Sequence, residues 1–387
     1  MKKRILSLLL ALVMLATLLP LGLYDTAWAA EVSETAEATE IASGSCGAGG
    51  VEDSSVRWVL TDDGTMTISG TGAMCDEEMP WWEFRSQINR VVIESGVTTV
   101  GSYAFSNCDN LTAAELPGTL TAIGDYAFAW GGIAEITIPD GVVTIGASAF
   151  WGTALADVVI PDSVTTIGAG AFWETKLVDV VIPDSVTTIG ESAFRYCEEM
   201  KTLYLGSGLT TVEGYAFDRC EAAVTLSVDN RAFVLEDNAL LNAEKTRLIQ
   251  YFEGPKDTDR AEAYTIPTGV EEICNGAFDC CDDLKTIVIP NTVQRIGQEA
   301  FGQCDNLEEL TIPASVTKIE SSAFLYNRYP VHVAAANTAY CSEDGVVYSK
   351  NKDTLCYAGA AAGAYSIPNG VAFIGDTAAS GAAITSL

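Results

Sequence analysis

Apolar positions along residues 88–329 fall into a compound unit that returns every 22 or 23 residues. An Ala-Phe pair marks it at Phe105, Phe128, Phe150, Phe172, Phe194 and Phe217, then at Phe278, Phe301 and Phe324. An Ile-Pro pair keeps the same phase at Pro139, Pro161, Pro183, Pro267, Pro290 and Pro313. In one unit Leu155, Val158 and Ile160 have the L-x-x-L-x-L spacing of a strand lining the concave side of a solenoid. Pro161 ends that strand by removing a ladder donor. Val164 and Ile167 begin a second inward-facing stretch, Gly168 permits the next corner, and Phe172 fills the space between the two sides. No part of the unit has the length of a helix. The pattern predicts a mainly β leucine-rich-repeat solenoid of short strands and turns, rising about 4.8 Å per coil. A single coil cannot bury these residues, whereas stacked coils can.

The regular repeats are predicted at 88–221 and 266–329. Residues 46–87 read as an N-terminal β-hairpin cap with its turn at Asp62-Asp63-Gly64. Two stretches depart from the pattern and align with each other, Asn230-Arg-Ala-Phe233 through Ile249 with Asn337-Thr-Ala-Tyr340 through Cys356. They predict two enlarged, hairpin-bearing coils at 222–265 and 330–366, either bending the solenoid or presenting a ligand loop. Residues 367–387 form an incomplete final repeat, with Ala379 in the Phe position and Leu387 inside the next strand. The expectation is a longer reading frame; the alternative is a true terminus that frays or is buried by self-association.

The strings IPDSVTTIGAGAF (160–172), IPDSVTTIGESAF (182–194) and IPNTVQRIGQEAF (289–301) resemble the BspA-type leucine-rich repeats of bacterial cell-surface proteins. The resemblance covers about two thirds of the chain. Residues 44–87 also resemble the segment that precedes such arrays. The resemblance implies surface adhesion, by attachment to host matrix proteins, mucosal material or other bacteria.

The N-terminus carries an export pattern. Lys2, Lys3 and Arg4 precede an apolar run from Ile5 to Leu23, and Ala27-Trp28-Ala29 supplies a small-x-small cleavage site. Residues 1–30 are therefore read as a signal peptide, against the rival of an uncleaved anchor, and 31–45 as a flexible leader. No other segment is apolar enough to cross a membrane, so the mature chain is expected outside the cytoplasm without membrane insertion. Apolar residues make up 48% and charged residues 19%, which supplies a core. A net charge of −31 argues against nucleic acid and anionic lipid as partners. His332 is the only histidine, which disfavours zinc-hydrolase and Ser-His-Asp chemistry.

Five of the eleven cysteines, Cys108, Cys197, Cys220, Cys281 and Cys304, lie three residues after a repeat Phe. They read as a column of buried structural thiols. A four-thiolate metal site from Cys274, Cys280, Cys281 and Cys304 can be drawn, but no C-x-x-C pair supports it, and neither metal nor cofactor is expected. Cys46–Cys75 and Cys341–Cys356 are the plausible disulfides.

Two surfaces are candidates for binding. The first outward strand column reads Arg90, Ala113, Glu135, Asp157, Asp179 and Thr202, and the second Val92, Glu115, Thr137, Val159, Val181 and Tyr204. Glu115, Glu135, Asp157 and Asp179 beside Val159, Val181 and Tyr204 make an acidic ligand face suited to a basic or mixed protein surface; the plainer alternative is a solvated sheet. Trp130, Trp151 and Trp173 form an aromatic patch able to hold sugar rings or a protein, or simply to cover the coil edge. No phosphate loop, EF-hand loop or nucleophile elbow is present. The sequence thus describes an exported, non-catalytic protein binding an extracellular protein ligand. A carbohydrate-binding module using the tryptophans is the alternative, and a secreted enzyme lacking its catalytic part a third reading.

Overall fold

A computed structural model describes residues 38–76, 79–256 and 258–386. The signal peptide and the first part of the predicted leader lie outside these residues.

Each coil has three walls. The first carries the longer strands, such as Asp179–Ile182, where Val180 and Ile182 are buried while Asp179 and Val181 face solvent. Asp179–Ile182 pairs in parallel with Thr202–Leu205, and that strand with Ala223–Leu226. The second wall is the short Thr-Ile strand: Thr166 stands between Thr144 and Thr188, and Ile167 between Ile145 and Ile189. Gly168 follows it for a reason of space. Its φ is not left-handed, but a Cβ there would lie 2.6 Å from the Ala147 amide nitrogen of the preceding coil.

The third wall was not expected from the sequence. Around each Phe, alternate amides divide their bonds. Ser148, Phe150 and Gly152 donate to Ala169, Ala171 and Trp173 of the next coil, at 2.7–2.8 Å. The amides between them, Ala149, Trp151 and Thr153, turn back to the carbonyls three residues earlier. This geometry requires positive φ two residues before and two after the Phe. Non-glycine residues accept it at Tyr126 (φ 55), Trp130 (φ 53), Ser192 (φ 58) and Tyr196 (φ 61), at a cost of about 1 kcal/mol each. The interior counterpart is a stack of rings. Phe105, Phe128, Phe150, Phe172, Phe194 and Phe217 follow one another at 5.2–5.7 Å between centroids. Trp81 of the cap extends the stack to Phe105 at 5.8 Å, and its indole N–H donates to Ala104 O at 2.7 Å.

Three antiparallel strands form the cap: β1 (Glu40–Ser45), β2 (Val56–Thr61) and β3 (Thr65–Gly70). β3 then pairs in parallel with Arg90–Ile93, so the cap continues the long-strand sheet and covers its open edge. The Asp62-Asp63-Gly64 turn closes with Asp63 accepting from Thr61 Oγ1 and Thr65 N. The cap begins at Glu40, inside the expected leader. β1 lacks an apolar alternation, and it is placed by Gly44 lying flat on Trp58, where a Cβ would come within 2.8 Å of the indole nitrogen.

Both inserts are three-stranded meanders. In the first, Phe233–Glu236, Ala239–Asn242 and Arg247–Tyr251 pair in turn, and the last strand re-enters the short-strand wall by pairing Arg247 and Leu248 with Glu272 and Ile273. The second repeats this with Tyr340–Glu343, Val346–Ser349 and Thr354–Tyr357, the last meeting Phe373–Ile374. One buried asparagine fastens each. Asn230 donates to Gly206 O and Leu209 O and accepts from Ala232 N and Phe233 N. Asn337 makes the matching bonds to Pro313 O, Val316 O, Ala339 N and Tyr340 N, all at 2.8–2.9 Å.

Two measurements test this scheme. Phe172→Ala is expected to lower stability by about 3–5 kcal/mol in urea unfolding, and a loss below about 1 kcal/mol would refute the ring stack as the core. Asn337→Ala strands two carbonyls and two amides. It is expected to cost at least about 2 kcal/mol and to raise hydrogen exchange at Ala339 and Tyr340, and unchanged exchange there would contradict the latch.

Candidate functional site

The outward columns of the long-strand wall lie in the expected register: Asp179 beside Thr202, and Val181 beside Tyr204. Glu115, Glu135, Asp157 and Asp179 are exposed, as are Val159 (75%) and Val181 (59%), while Tyr204 is half-buried. The four carboxylates are not equivalent. Glu115 is taken by an ion pair with Arg90, and Asp179 accepts from Thr202 Oγ1 at 2.6 Å. Glu135 and Asp157 occupy the two coils where this wall is least regular. On this wall, between Ala113–Glu115 and Asp179–Ile182, there is no strand, only a single bridge between Glu135 and Asp157. The wall opens there into a shallow groove of about 580 Å³, lined by Ala113, Glu135, Thr137, Asp157 and Val159 among others.

Trp130, Trp151 and Trp173 do form a column, but only Trp130 is exposed (39%), with Trp151 and Trp173 half-buried. Trp151 lies between Trp130 (4.4 Å, tilted by 50°) and Trp173 (4.8 Å, stacked), so one face is taken by Trp173 and Trp130 packs against it at an angle. The column runs from Tyr103 and Tyr126, stacked at 4.8 Å, to Trp173 beneath the Arg195 guanidinium. It covers the outside of the third wall.

The cysteine column fills one repeated position. Cys197, Cys220 and Cys304 donate to the Phe carbonyls of the preceding coils, Phe172, Phe194 and Phe278. Thr153, Thr175 and Asn327 serve Phe150, Phe172 and Phe301 from the same position. Burial pushes the Cys108 thiol up to about 12, outside the range of a reactive thiolate. Cys75 N donates to Cys46 O at 3.0 Å, so these two residues lie side by side. Cys341 and Cys356 do not meet. Val346–Ser349 runs between their strands, placing them about two strand spacings apart, farther than a disulfide reaches.

A second polar centre was missed from the sequence. At the first insert the third-wall ladder stops: the amides of Tyr215, Phe217 and Arg219 donate no backbone bond to a following coil. Side chains bridge the step instead. Arg195 Nε donates to Asp218 Oδ2 at 2.6 Å, and Arg195 Nη2 reaches Asp279 at 3.5 Å and Glu299 at 3.4 Å. Tyr215 Oη donates to Gln298 O, and Arg219 to Gln303 Oε1. Both aspartate side chains are fully buried. Burial, then Asp218, then Glu299 push the Asp279 carboxyl up to about 9. Burial also raises Asp218, against the pull of Arg195. The sequence signal was the position after the repeat Phe, where Asp218 and Asp279 stand in line with Trp151, Trp173 and Arg195.

This architecture defines a leucine-rich-repeat solenoid. The chain belongs to the BspA-type leucine-rich repeat family, whose model matches six copies over 83–201, 165–254 and 250–340. No curated relative matches it. Among solved structures it is similar to a leucine-rich repeat protein from Eubacterium ventriosum, with 26% identity over 89% of this chain and 96% of that chain and a TM-score of 0.58. It is also similar to a leucine-rich cell surface protein from Faecalibacterium prausnitzii, with 24% identity over 70% and 84% and a TM-score of 0.46. Among the described residues no helix is long and apolar enough to cross a membrane.

Arg195→Met leaves the buried carboxyls at the insert without their cation. The expected loss is about 3–5 kcal/mol in urea unfolding, partly recovered when Asp218→Asn is added. A loss below about 1 kcal/mol, or no recovery, would remove Arg195 as the bridge.

Proposed function

We propose that this chain is an exported, non-catalytic binding protein whose long-strand wall receives a basic segment of a partner protein. The observation that carries the proposal is the opening of that wall between Glu115 and Asp179. There the exposed and otherwise unengaged carboxylates of Glu135 and Asp157 flank Val159 and Val181. An extended segment bearing Lys or Arg would meet charge on one column and apolar surface on the next. Membership of a leucine-rich repeat family supports a protein-binding role. Export rests on the N-terminal charge, apolar run and cleavage pattern. Placement at the cell surface and adhesion to host material or other cells extend the same proposal. Glycan binding by the tryptophans has less support, because stacked indoles offer few free faces to a sugar ring.

Replacing Glu135, Asp157 and Asp179 together by Ser is expected to weaken binding of Lys/Arg-rich peptides by more than about tenfold, with unfolding changed by less than about 0.5 kcal/mol. Wild-type affinity should fall as salt is raised, since these groups are exposed. Interferometry against basic, acidic and neutral peptide panels checks this. Equal binding to all three panels, or unchanged affinity in the triple variant, would move the site elsewhere.

A further inference from the structure

Where the backbone ladder is missing, two parts of the solenoid meet through side chains, and one group among them has the composition of a metal site. We propose that Asp218, Asp279 and Cys280 bind a divalent transition-metal ion of the zinc class. One carboxylate oxygen from each aspartate and the Cys280 sulfur all lie within 4.8 Å of one another. The ligands come from coils 61 residues apart in sequence, Asp218 following Phe217, and Asp279 and Cys280 following Phe278.

The donors are open to an ion. Arg195 engages Asp218 Oδ2, which leaves Asp218 Oδ1 buried without a hydrogen-bond donor. Asp279 is 3% exposed, and neither of its oxygens has a hydrogen-bond donor, only the 3.5 Å ion pair from Arg195 to Oδ2. Two buried carboxyl groups this close must hold a proton between them, and a bound cation can take the place of that proton and relieve their repulsion directly. Cys280 is available because it is only half-buried and its sulfur makes no hydrogen bond among the described residues, whereas Cys281 and Cys304 are packed in the core.

Charge and geometry favour the same class of ion. Binding displaces the protons that burial keeps on Asp279 and Cys280. The three anionic donors then left, the Arg195 guanidinium and a divalent ion sum to zero, while Arg219 and Glu299, which also face the cluster, offset each other. A thiolate with two carboxylates suits a borderline-soft ion and not Ca²⁺ or Mg²⁺, which take all-oxygen shells. Three protein ligands leave a fourth position of a tetrahedron. Asp279 and Cys280 also line a cavity of about 120 Å³, large enough for the water that would complete the shell. The four-thiolate set drawn from sequence is not assembled: Cys304 donates to Phe278 O and Cys274 lies against Arg247. The ion would tie the Phe217 coil to the Phe278 coil across a step that the amides of Tyr215, Phe217 and Arg219 do not bridge.

The test uses the full chain, stripped with a chelator and titrated with Co²⁺. The expected result is one equivalent bound with tetrahedral d–d bands and a thiolate-to-cobalt charge-transfer band. Cys280→Ser should abolish the charge-transfer band, and Asp279→Asn should weaken binding by more than about tenfold. The Cys341→Ser/Cys356→Ser variant should retain both the band and the affinity. A second reading, free of any variant's folding, is the zinc-edge X-ray absorption of the loaded wild type, with a single sulfur in the first shell. No charge-transfer band in the wild type, a band that survives Cys280→Ser, or a first shell with several sulfurs or none would each overturn the proposal.

Discussion

A flat coil cannot enclose an aromatic ring. Each Phe here is covered above and below only by the rings of adjacent coils, and that dependence organises the rest of the molecule. It fixes the phase of the 22- or 23-residue repeat, because a ring out of register would leave the stack. It accounts for the tolerated positive φ values at Tyr126, Trp130 and Ser192, since only that backbone lets three amides reach the next coil while Phe128, Phe150 and Phe194 point inward. It also sets what the cap must supply, which is one more ring, Trp81, and three strands to satisfy the open edge of the sheet.

Strength along the stack is uneven. Apolar burial separates into two large cores that part within the first insert, one running from the cap through Phe217 to Phe233, Leu240 and Phe252, and the other from Ala239 and Leu241 toward Tyr357. Phe252 continues the rings, 5.8 Å from Phe217, while Tyr251 meets Phe278 at 5.4 Å, so aromatic contact is kept where the ladder is lost. What replaces the main-chain bonds is charged and buried. Such contacts demand complete pairing, and their energy depends on partners from sequence-distant coils. The joint is therefore more specific, and more easily damaged, than the repetitive steps on either side.

The period, the Phe positions, the two inserts and the outward columns were legible in the sequence because each is enforced many times over. Leu177, Val180 and Ile182 are read as inward because every coil repeats their spacing. The third wall was not legible. Its bonds are made by backbone, and its signature is a torsion angle at residues as different as Tyr196 and Ser192. Gly168 was read as the residue that permits the next corner, whereas its place is a matter of close approach. β1 escaped notice because Gly44 carries no side chain to reveal that it lies on Trp58. The Asp218–Asp279 centre is a contact between coils separated by an insert, and no periodic pattern announces a meeting that happens once. Glu135 and Asp157 were read as outward-facing and are exposed, but nothing in their coils' spelling distinguishes them from Asp179, whose strand stays regular.

The two asparagine latches have a consequence for how such a chain changes length. Asn230 and Asn337 stand 107 residues apart, and each grips only main-chain carbonyls of the coil before it and amides of the strand after it. A latch of that kind does not read the side chains it fastens. Recombination between the two segments would delete or duplicate a whole block of coils in frame, and the new junction would present the same carbonyls and amides to the same asparagine. The gene can thus lengthen or shorten its product in large modular steps without a new interface having to be invented at the seam.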